Sequence, residues 1–259
     1  MKRLISSQRP KALLLDLDGT VYAGDHEVPG AAAFIRDAQA AGIRSVYVTN
    51  RSNRTPEEVC AQLASFNIEC TTNDIISTSL ATAQYIGSGS AYVVGEYGLT
   101  HALETYGITL TDKNPDYVVV SLDRQFSYDK LKTASRLIGE GATYIATNLD
   151  PRLKMGTYFL PGTGSIVASV TTACGQTPII IGKPERHIME MALKNCGCSK
   201  TEALVIGDGL DTDIAAAINA GIDSVLLLTG VSQREDLATS PHKPTHVAED
   251  FEALRAALL

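Results

Sequence analysis

The sequence lacks the features that mark membrane proteins, secreted proteins and nucleic-acid-binding proteins. No apolar run approaches the ~20 residues needed to cross a bilayer. Lysine and arginine form no cluster, and the formal net charge is -7, whereas nucleic-acid binding normally requires a basic face. The basic residues near the amino terminus precede no apolar core, so we expect no signal peptide. We therefore expect a protein that binds neither membranes nor nucleic acids.

Cysteine is scarce and scattered. The 5 cysteines are odd in number, which predicts reduced thiols and a cytoplasmic location. Cys196 and Cys198 form the one close pair, without a second pair at zinc-site spacing, so we expect no zinc site. The remaining composition, 44% hydrophobic and 20% charged over 259 residues, is typical of a soluble protein with one large domain or two modest ones.

The strongest positive signal is an apolar run, Ala12–Leu15, followed by two acids and a glycine. The run predicts a buried parallel strand. Since buried unpaired charge is costly, Asp16 and Asp18 should lie at or beyond its carboxyl end, where open α/β sheets bind ligands. Their spacing places both side chains on one side, and Gly19 allows a sharp turn. Neighbouring carboxylates repel without a cation, which indicates a magnesium site; a solvated turn is the alternative.

Three further predicted strands end in polar residues. Thr49 ends one of them and is followed by Asn50 and Arg51, and Lys183 follows the strand Pro178–Ile181. The strand Ala203–Gly207 is followed by Asp208, Gly209, Asp211 and Asp213. In one parallel sheet all these ends would lie along the same edge. Carboxylates for a divalent cation, with hydroxyl, amide and ammonium groups for an anion, suit phosphoryl transfer through an aspartyl phosphate. Taken separately, the loop after Thr49 could be an ordinary capped loop, and Lys183 a solvated surface lysine.

The stretch Gly87–Ser90 is the most linker-like part of the chain, and we expect a domain boundary near it. From Ala91 the alternation of strands and helices starts again, which predicts a second α/β unit with its own core. The predicted limits are 1–82 and 179–259 for a catalytic core and 83–178 for an inserted domain.

Two stretches of the inserted domain carry further signals. Its polar strand end, Asn148 to Arg152, is a second candidate site. The stretch Leu160–Ser165 lacks the Gly-Lys-Ser/Thr ending of a phosphate-binding P-loop. We therefore interpret it as the turn before a helix that begins at Ile166.

Together these motifs resemble the haloacid dehalogenase-like (HAD) phosphatase superfamily. Asp16-Leu17-Asp18-Gly19-Thr20 resembles its first motif, Thr49 its second, Lys183 its third, and Gly207-Asp208 with Asp213 its fourth. Ala146–Asp150, Leu160–Ser165 and Ile181–Glu185 resemble its NagD-like, nitrophenylphosphatase-like branch, and the likeness covers nearly the whole chain. It implies an α/β fold, with a Rossmann-like doubly wound parallel sheet as core and a large α/β cap inserted between the second and third motifs.

The resemblance also implies roles for single residues in a magnesium-dependent phosphatase that acts on small sugar- or nucleotide-type phosphate monoesters. Asp16 would be the nucleophile, and Asp18 the general acid and then the general base. The cation would be held by Asp16, the backbone carbonyl of Asp18 and Asp208, while Asp213 would orient a metal-bound water or Lys183. Phosphate or substrate would be bound by Gly19, Thr49, Asn50, Arg51, Lys183, Gly209 and Asp211. The leaving group would be recognised by the cap residues Asn148, Asp150 and Arg152.

Several alternatives stay open from the sequence. Many members of the branch have a second asparagine where this chain has Arg51, which could bind a second anionic group or point to solvent. A non-catalytic protein that binds a phosphorylated metabolite on the same fold is the alternative function. A dehalogenase is disfavoured by Asp18, and a phosphonate hydrolase by the short segment Val21–Pro29. The expected partner is a small phosphorylated metabolite, and a homodimer through the cap is compatible with the branch.

Overall fold

The computed structural model describes residues 9–155 and 158–259, which form two compact units. The first contains the described residues up to Thr49 together with Pro56–Ile76 and Lys183–Leu259. The second contains Asn50–Thr55 and Ser77–Gly182. The sequence-based limits of the inserted domain, 83 and 178, stay a prediction. The amino-terminal segment in which no signal peptide is expected lies outside the described residues.

The strands follow one another along the chain as β1 (Ala12–Leu15), β2 (Tyr22–Ala23), β3 (His26–Glu27), β4 (Arg44–Thr49), β5 (Ile75–Ser77), β6 (Ser90–Val94), β7 (Thr109–Leu110), β8 (Tyr117–Val120), β9 (Thr143–Ala146), β10 (Arg152–Met155), β11 (Tyr158–Pro161), β12 (Ile179–Ile180), β13 (Ala203–Gly207), β14 (Asp223–Leu227) and β15 (His246–Ala248).

The helices are α1 (Ala31–Ala40), α2 (Pro56–Ser65), α3 (Thr78–Ile86), α4 (Tyr97–Thr105), α5 (Tyr128–Gly139), α6 (Thr163–Cys174), α7 (Arg186–Cys196), α8 (Ala215–Ala220), α9 (Asp236–Thr239) and α10 (Phe251–Leu258). A 3₁₀ turn spans Thr72–Asp74 and a π-helical turn spans Leu210–Ile214. Among these helices, none has the length and apolar character that a membrane span requires.

A six-stranded sheet in the order β15-β14-β13-β1-β4-β5 forms the centre of the first unit. Strand β1 lies between β13 and β4, parallel to both, and its four residues are fully buried. Helices pack over the sheet, and the rings of Phe34 on α1 and Phe251 on α10 lie 5.3 Å apart in the core. The predicted α/β fold with a parallel sheet is confirmed.

The register of this sheet brings together two of the predicted strand ends. Leu15 of β1 pairs with Ile206 of β13, and the N–H of Asp16 donates to the carbonyl of Ile206 at 2.9 Å. Asp16 therefore leaves β1 beside the end of β13, which leads into Asp208. Since the side chains of the strands are buried and apolar, the carboxylates lie where the strands end, as the sequence predicts.

The second unit has a five-stranded sheet in the order β12-β9-β8-β6-β7, with parallel neighbours throughout. Its apolar core lies between this sheet and the helices α5 and α6. The strand that precedes Lys183, β12, pairs with β9 of this sheet. The expectation that Lys183 follows a strand of the same sheet as β1 is therefore wrong, because Ile179 and Ile180 pair with Ile145 and Ala146.

Local structure also differs from the sequence-based expectation in the second unit and after it. Strands β10 and β11 pair in antiparallel orientation, so Leu160 lies in a strand. Helix α6 begins at Thr163 rather than at Ile166. Proline is favoured at the first position of a helix, yet Pro184 lies before α7, which begins at Arg186. The carbonyl of Pro184 accepts a hydrogen bond from Asn219 at 2.9 Å.

Candidate active site

A buried ion-pair cluster lies beyond the carboxyl end of β1. The ammonium of Lys183 lies 2.5 Å from Oδ1 of Asp16 and 2.7 Å from Oδ1 of Asp213, and it donates to the carbonyl of Val48 at 3.2 Å. All three charged side chains are buried. Interpreting Lys183 as a solvated surface residue is therefore wrong, because it lies between two carboxylates.

Asp208 joins this cluster from the end of β13 and is held by two donors. Its Oδ1 accepts from the hydroxyl of Thr20 at 3.0 Å, and its Oδ2 from the N–H of Val231 at 2.6 Å. Gly19 has a φ of 96°, and a Cβ there would lie 2.5 Å from Oδ2 of Asp208. A Cβ at Gly230 would lie 1.9 Å from the same atom. Only glycine fits at either position, so the two loops close tightly around this carboxylate.

Asp213 is placed by the π-helical turn that precedes α8. Such turns are rare and often lie at functional sites. Its Oδ2 accepts from the N–H of Gly209 at 3.0 Å, and a Cβ at Gly207 would lie 2.4 Å from the Asp213 side chain. Asp213 is therefore packed against the end of β13. The neighbouring Asp211, proposed from sequence to contact substrate, is exposed and lies outside the carboxylate cluster.

Burial and charge repulsion perturb these acids. Burial, followed by the charge of Asp213, raises the pKa of Asp16 well above its ordinary value. The same causes raise the pKa of Asp208 to about 6. Burial lowers the pKa of Lys183, but the carboxylates of Asp16 and Asp213 outweigh burial and hold that pKa above its ordinary value. The lysine thus stays charged, while burial and mutual repulsion disfavour the ionised forms of Asp16 and Asp208.

The donor set fits a divalent metal ion. Asp16, Asp208 and Asp213 each offer one carboxylate oxygen, and these oxygens lie within 4.8 Å of one another. Oxygen donors with excess negative charge are the ligands that Mg²⁺ prefers. The Asp18 carboxylate is not part of this group; Asp18 is half-buried in the turn after β1 and forms a bridge with Tyr22.

The candidate residues of the second unit form a separate arrangement. The side-chain amide of Asn148 donates to the carbonyl of Asn50 at 2.9 Å, and the amide of Asn50 donates to Oδ2 of Asp150 at 3.0 Å. Asn148 is buried, whereas Arg152 is exposed, with its guanidinium 4.8 Å from the ring centre of Phe159. The structure thus brings Asn50, Asn148 and Asp150 together and leaves Arg152 outside this group.

The remaining sequence candidates lie where the strand pattern predicts. Thr49 ends β4 and is buried, and Arg51 is half-buried. Sequence reasoning missed the two groups that bind Asp208, which are the hydroxyl of Thr20 and the N–H of Val231. The signal for the second was the glycine-containing loop after β14, another strand end at the same edge.

Comparison with known proteins adds independent information. Residues 13–109 match a family model described as haloacid dehalogenase-like hydrolase, and residues 180–254 match one described as HAD-hydrolase-like. The chain is 41% identical over 245 residues to the 5'-nucleotidase YutF of Bacillus subtilis, covering 93% of this chain and 96% of that protein. It is 41% identical over 253 residues to an acid sugar phosphatase of Staphylococcus aureus, covering 96% and 98%.

Solved structures agree with these relatives. The 4-nitrophenylphosphatase of Thermotoga maritima superposes with a TM-score of 0.92 at 30% identity, covering 96% of this chain and 98% of that one. NagD of E. coli superposes with a TM-score of 0.88 at 32% identity, covering 94% and 98%. The chain therefore belongs to the haloacid dehalogenase-like hydrolases, in the group of NagD-like and nitrophenylphosphatase-like phosphatases.

Proposed function

We propose that this protein hydrolyses small phosphate monoesters with Mg²⁺ through an aspartyl-phosphate intermediate. The observation that carries the proposal is the buried cluster of Asp16, Lys183, Asp208 and Asp213. It combines a carboxylate next to a lysine that stays charged with further carboxylates suited to a cation. Phosphoryl transfer depends mainly on such positioning and charge neutralisation.

In the first step, a carboxylate oxygen of Asp16 attacks phosphorus and the bond to the leaving oxygen breaks. Asp18 gives its proton to that oxygen. The hydroxyl of Thr49, the backbone N–H of Asn50 and the ammonium of Lys183 bind the phosphoryl oxygens during transfer. Because Lys183 already contacts Asp16, its positive charge lies beside the attacking group.

In the second step, Asp18 takes a proton from water, and the water oxygen attacks the phosphorus of the aspartyl phosphate. The phosphorus–Asp16 bond breaks, which releases inorganic phosphate and restores the carboxylate. Asp18 suits both proton transfers because it lies in the turn directly after β1, two residues beyond the nucleophile.

Asp16, Asp208 and the backbone carbonyl of Asp18 are the proposed holders of the cation. Asp213, bonded to Lys183 and to the N–H of Gly209, orients the lysine. When bound, Mg²⁺ would neutralise charge on the phosphoryl group and on the carboxylates around it. HAD phosphatases generally use a divalent metal, and the perturbed, mutually repelling carboxylates of this chain support such a site.

The proposed substrates are sugar or nucleotide phosphates, because similar proteins are named as a 5'-nucleotidase and an acid sugar phosphatase. Gly19, Arg51, Gly209 and Asp211 stay proposed contacts of phosphate or substrate, and Arg152 a proposed contact of the leaving group. A cytoplasmic location and a homodimer through the cap stay predictions.

Phosphate release from a panel of sugar phosphates, nucleotides and 4-nitrophenyl phosphate tests the proposal. Each ester is assayed with Mg²⁺ and with a chelator, and the Asp16→Asn variant serves as the control for a contaminating phosphatase. We expect Mg²⁺-dependent release that is absent from the variant. A folded wild-type protein that binds Mg²⁺ but releases phosphate from no ester would instead support a non-catalytic binding protein.

A further inference from the structure

The loop Asn50–Thr55 follows the strand residue Thr49 directly, yet it belongs to the second unit. Within that unit it contacts residues that lie just beyond the carboxyl ends of β6, β8, β9 and β12. In open α/β sheets this edge is the usual ligand-binding position. Here the edge of the second sheet is used to hold a loop of the same chain.

Asn50 is fixed by three hydrogen bonds. Its carbonyl accepts from the amide of Asn148 and from the hydroxyl of Thr78, both at 2.9 Å. Its side-chain amide donates to Asp150 at 3.0 Å, and the N–H of Asp150 donates back to Oδ1 of Asn148 at 3.0 Å. Asn148 and Asp150 are therefore bonded to each other and together bind both the main chain and the side chain of Asn50.

The rest of the loop is held with equal closeness by hydroxyl groups. The hydroxyls of Ser52 and Ser121 lie 2.5 Å apart, and that of Ser121 lies 2.8 Å from the hydroxyl of Thr147. Ser121 and Thr147 are brought together by the parallel register of β8 and β9. Ser79 also donates to the carbonyl of Ser52 at 2.6 Å. All four side chains are buried, so these contacts are screened from water.

Two glycines show how little space remains around the loop. A Cβ at Gly98 would lie 2.6 Å from the backbone nitrogen of Arg54. A Cβ at Gly182 would lie 2.5 Å from Oδ1 of Asn50. Both distances are shorter than any normal contact, so the backbone of the second unit packs directly on the loop.

We propose that Asn148 and Asp150 are positioning residues for Asn50, and that they act on phosphoryl binding rather than on recognition of the leaving group. This inference rests on the proposed function, in which the backbone N–H of Asn50 binds the transferring phosphoryl group. Both side chains bind Asn50, and the side-chain oxygen of Asn148 also accepts from the backbone N–H of Asp150. A residue that acts through the phosphoryl site must affect every ester alike.

Inorganic phosphate is the probe that separates the two roles, because it has no leaving group. We expect Asn148→Ala and Asp150→Ala to weaken competitive inhibition by phosphate about tenfold in the presence of Mg²⁺, the effect of one lost hydrogen bond. The ratios of kcat/KM among sugar phosphates, nucleotides and 4-nitrophenyl phosphate should stay within about twofold of wild type. Unchanged phosphate inhibition with altered ester ratios would overturn the inference.

Exchange of the two side chains tests whether the contact itself is responsible. Asn50→Asp alone places two carboxylates side by side, whereas Asn50→Asp with Asp150→Asn restores a hydrogen bond of reversed polarity. We expect the double variant to bind phosphate at least threefold more tightly than Asn50→Asp alone, about the coupling that neighbouring residues show. If the losses of phosphate affinity caused by Asn50→Asp and by Asp150→Asn simply add in the double variant, the inference is overturned.

Asp116→Asn is the matched control, because Asp116 also accepts hydrogen bonds within the second unit but lies at the amino end of β8. It should leave phosphate inhibition unchanged. Thermal unfolding verifies that every variant is folded. An active wild type whose Asn148 and Asp150 variants bind phosphate normally would overturn this inference alone, whereas a wild type that releases no phosphate would overturn the proposed function as well.

Discussion

The two units differ in the polar residues that follow the strands of their parallel sheets. Each sheet has polar side chains at the carboxyl ends of its strands. In the first unit these side chains are charged: Asp16 and Asp213 pair with one lysine, and Asp208 lies close to both carboxylates. In the second unit neutral groups hold the loop that contains Ser52, since its hydroxyl and that of Thr147 both lie within hydrogen-bonding distance of the Ser121 hydroxyl.

The two edges differ in whether their buried polar groups satisfy one another. Hydroxyls and amides in the second unit satisfy one another, which stabilises a fixed loop. In the first unit, burial raises the pKa of Asp16 and of Asp208, so the isolated protein holds these carboxylates at a cost. Mutually repelling buried carboxylates favour a bound cation, and Lys183 together with that cation would favour an anionic substrate, whereas balanced neutral groups favour rigidity. Substitutions at the first edge should therefore affect activity most, and substitutions of the buried hydroxyl groups at the second edge should affect mainly stability.

The largest effect is expected for Asp16→Asn, which removes the proposed nucleophile. Turnover should fall about a thousandfold or more. The fold should persist, because Lys183 keeps its contact with Asp213 and one of the mutually repelling carboxylates loses its charge. Steady-state assays with thermal unfolding check both statements. Turnover near the wild-type level would exclude Asp16 as the nucleophile.

Gly19→Ala should have the next largest effect. Its φ of 96° disfavours alanine, and the new Cβ would meet the carboxylate of Asp208. We expect turnover to fall about a hundredfold, the cost of misplacing groups by about 1 Å, with about 2 kcal/mol of lost stability. Gly24→Ala is the matched control, since Gly24 has a φ of 61° but nothing within 4 Å of the added atom. It should lose stability and keep its activity; equal activity losses would argue against the role of the Gly19 contact.

A moderate effect is expected for Thr20→Val, which removes a hydrogen bond to Asp208 without changing the shape of the side chain greatly. Groups that orient a metal ligand typically contribute 10- to 100-fold to affinity, and we expect about a tenfold loss in affinity for Mg²⁺. Calorimetric titration measures it, and Thr20→Ser, which keeps the hydroxyl, should bind nearly as wild type. Equal affinities for the valine and serine variants would contradict the role of the hydroxyl.

The smallest effect on activity is expected for the buried hydroxyl groups of the second edge. Ser121→Ala leaves the buried hydroxyls of Ser52 and Thr147 short of one partner. The free energy of unfolding should fall by about 1 to 2 kcal/mol, with less than a tenfold change in turnover. Urea unfolding of this variant is compared with Ser169→Ala, an exposed serine of the same unit. A fall in turnover of more than tenfold without the expected loss of unfolding free energy would contradict the distinction between the two edges.

The sequence predicts best what depends on neighbouring residues. Asp16 and Asp208 each follow an apolar run and are followed by further acids and glycines. This pattern predicts that both carboxylates lie at strand ends, as observed. Serine is a favoured helix N-cap, and the hydroxyl of Ser127, which directly precedes α5, accepts from the N–H of Lys130 at 3.3 Å. Each of these features is decided by side chains a few positions apart, which local propensity and patterning describe.

Contacts between distant parts of the chain were not predictable in the same way. Thr20 binds Asp208 across 188 positions, and Asn148 binds Asn50 across 98. Lys183 was predicted at the edge of the first sheet, but its preceding strand pairs in the second sheet. The sequence of a short apolar strand does not specify which strand it pairs with, so the pairing is decided by tertiary packing. The residue types at the site were therefore predictable, while the groups that hold them in place were not.

Mass spectrometry of the enzyme, quenched in acid during turnover of 4-nitrophenyl phosphate, tests whether Asp16 is the nucleophile. We expect a phosphoryl group on the peptide that contains Asp16, present only with Mg²⁺ and absent from the Asp16→Asn variant. Turnover in which no phosphoryl group forms, or in which it forms on another residue, would contradict the assignment of Asp16 as the nucleophile.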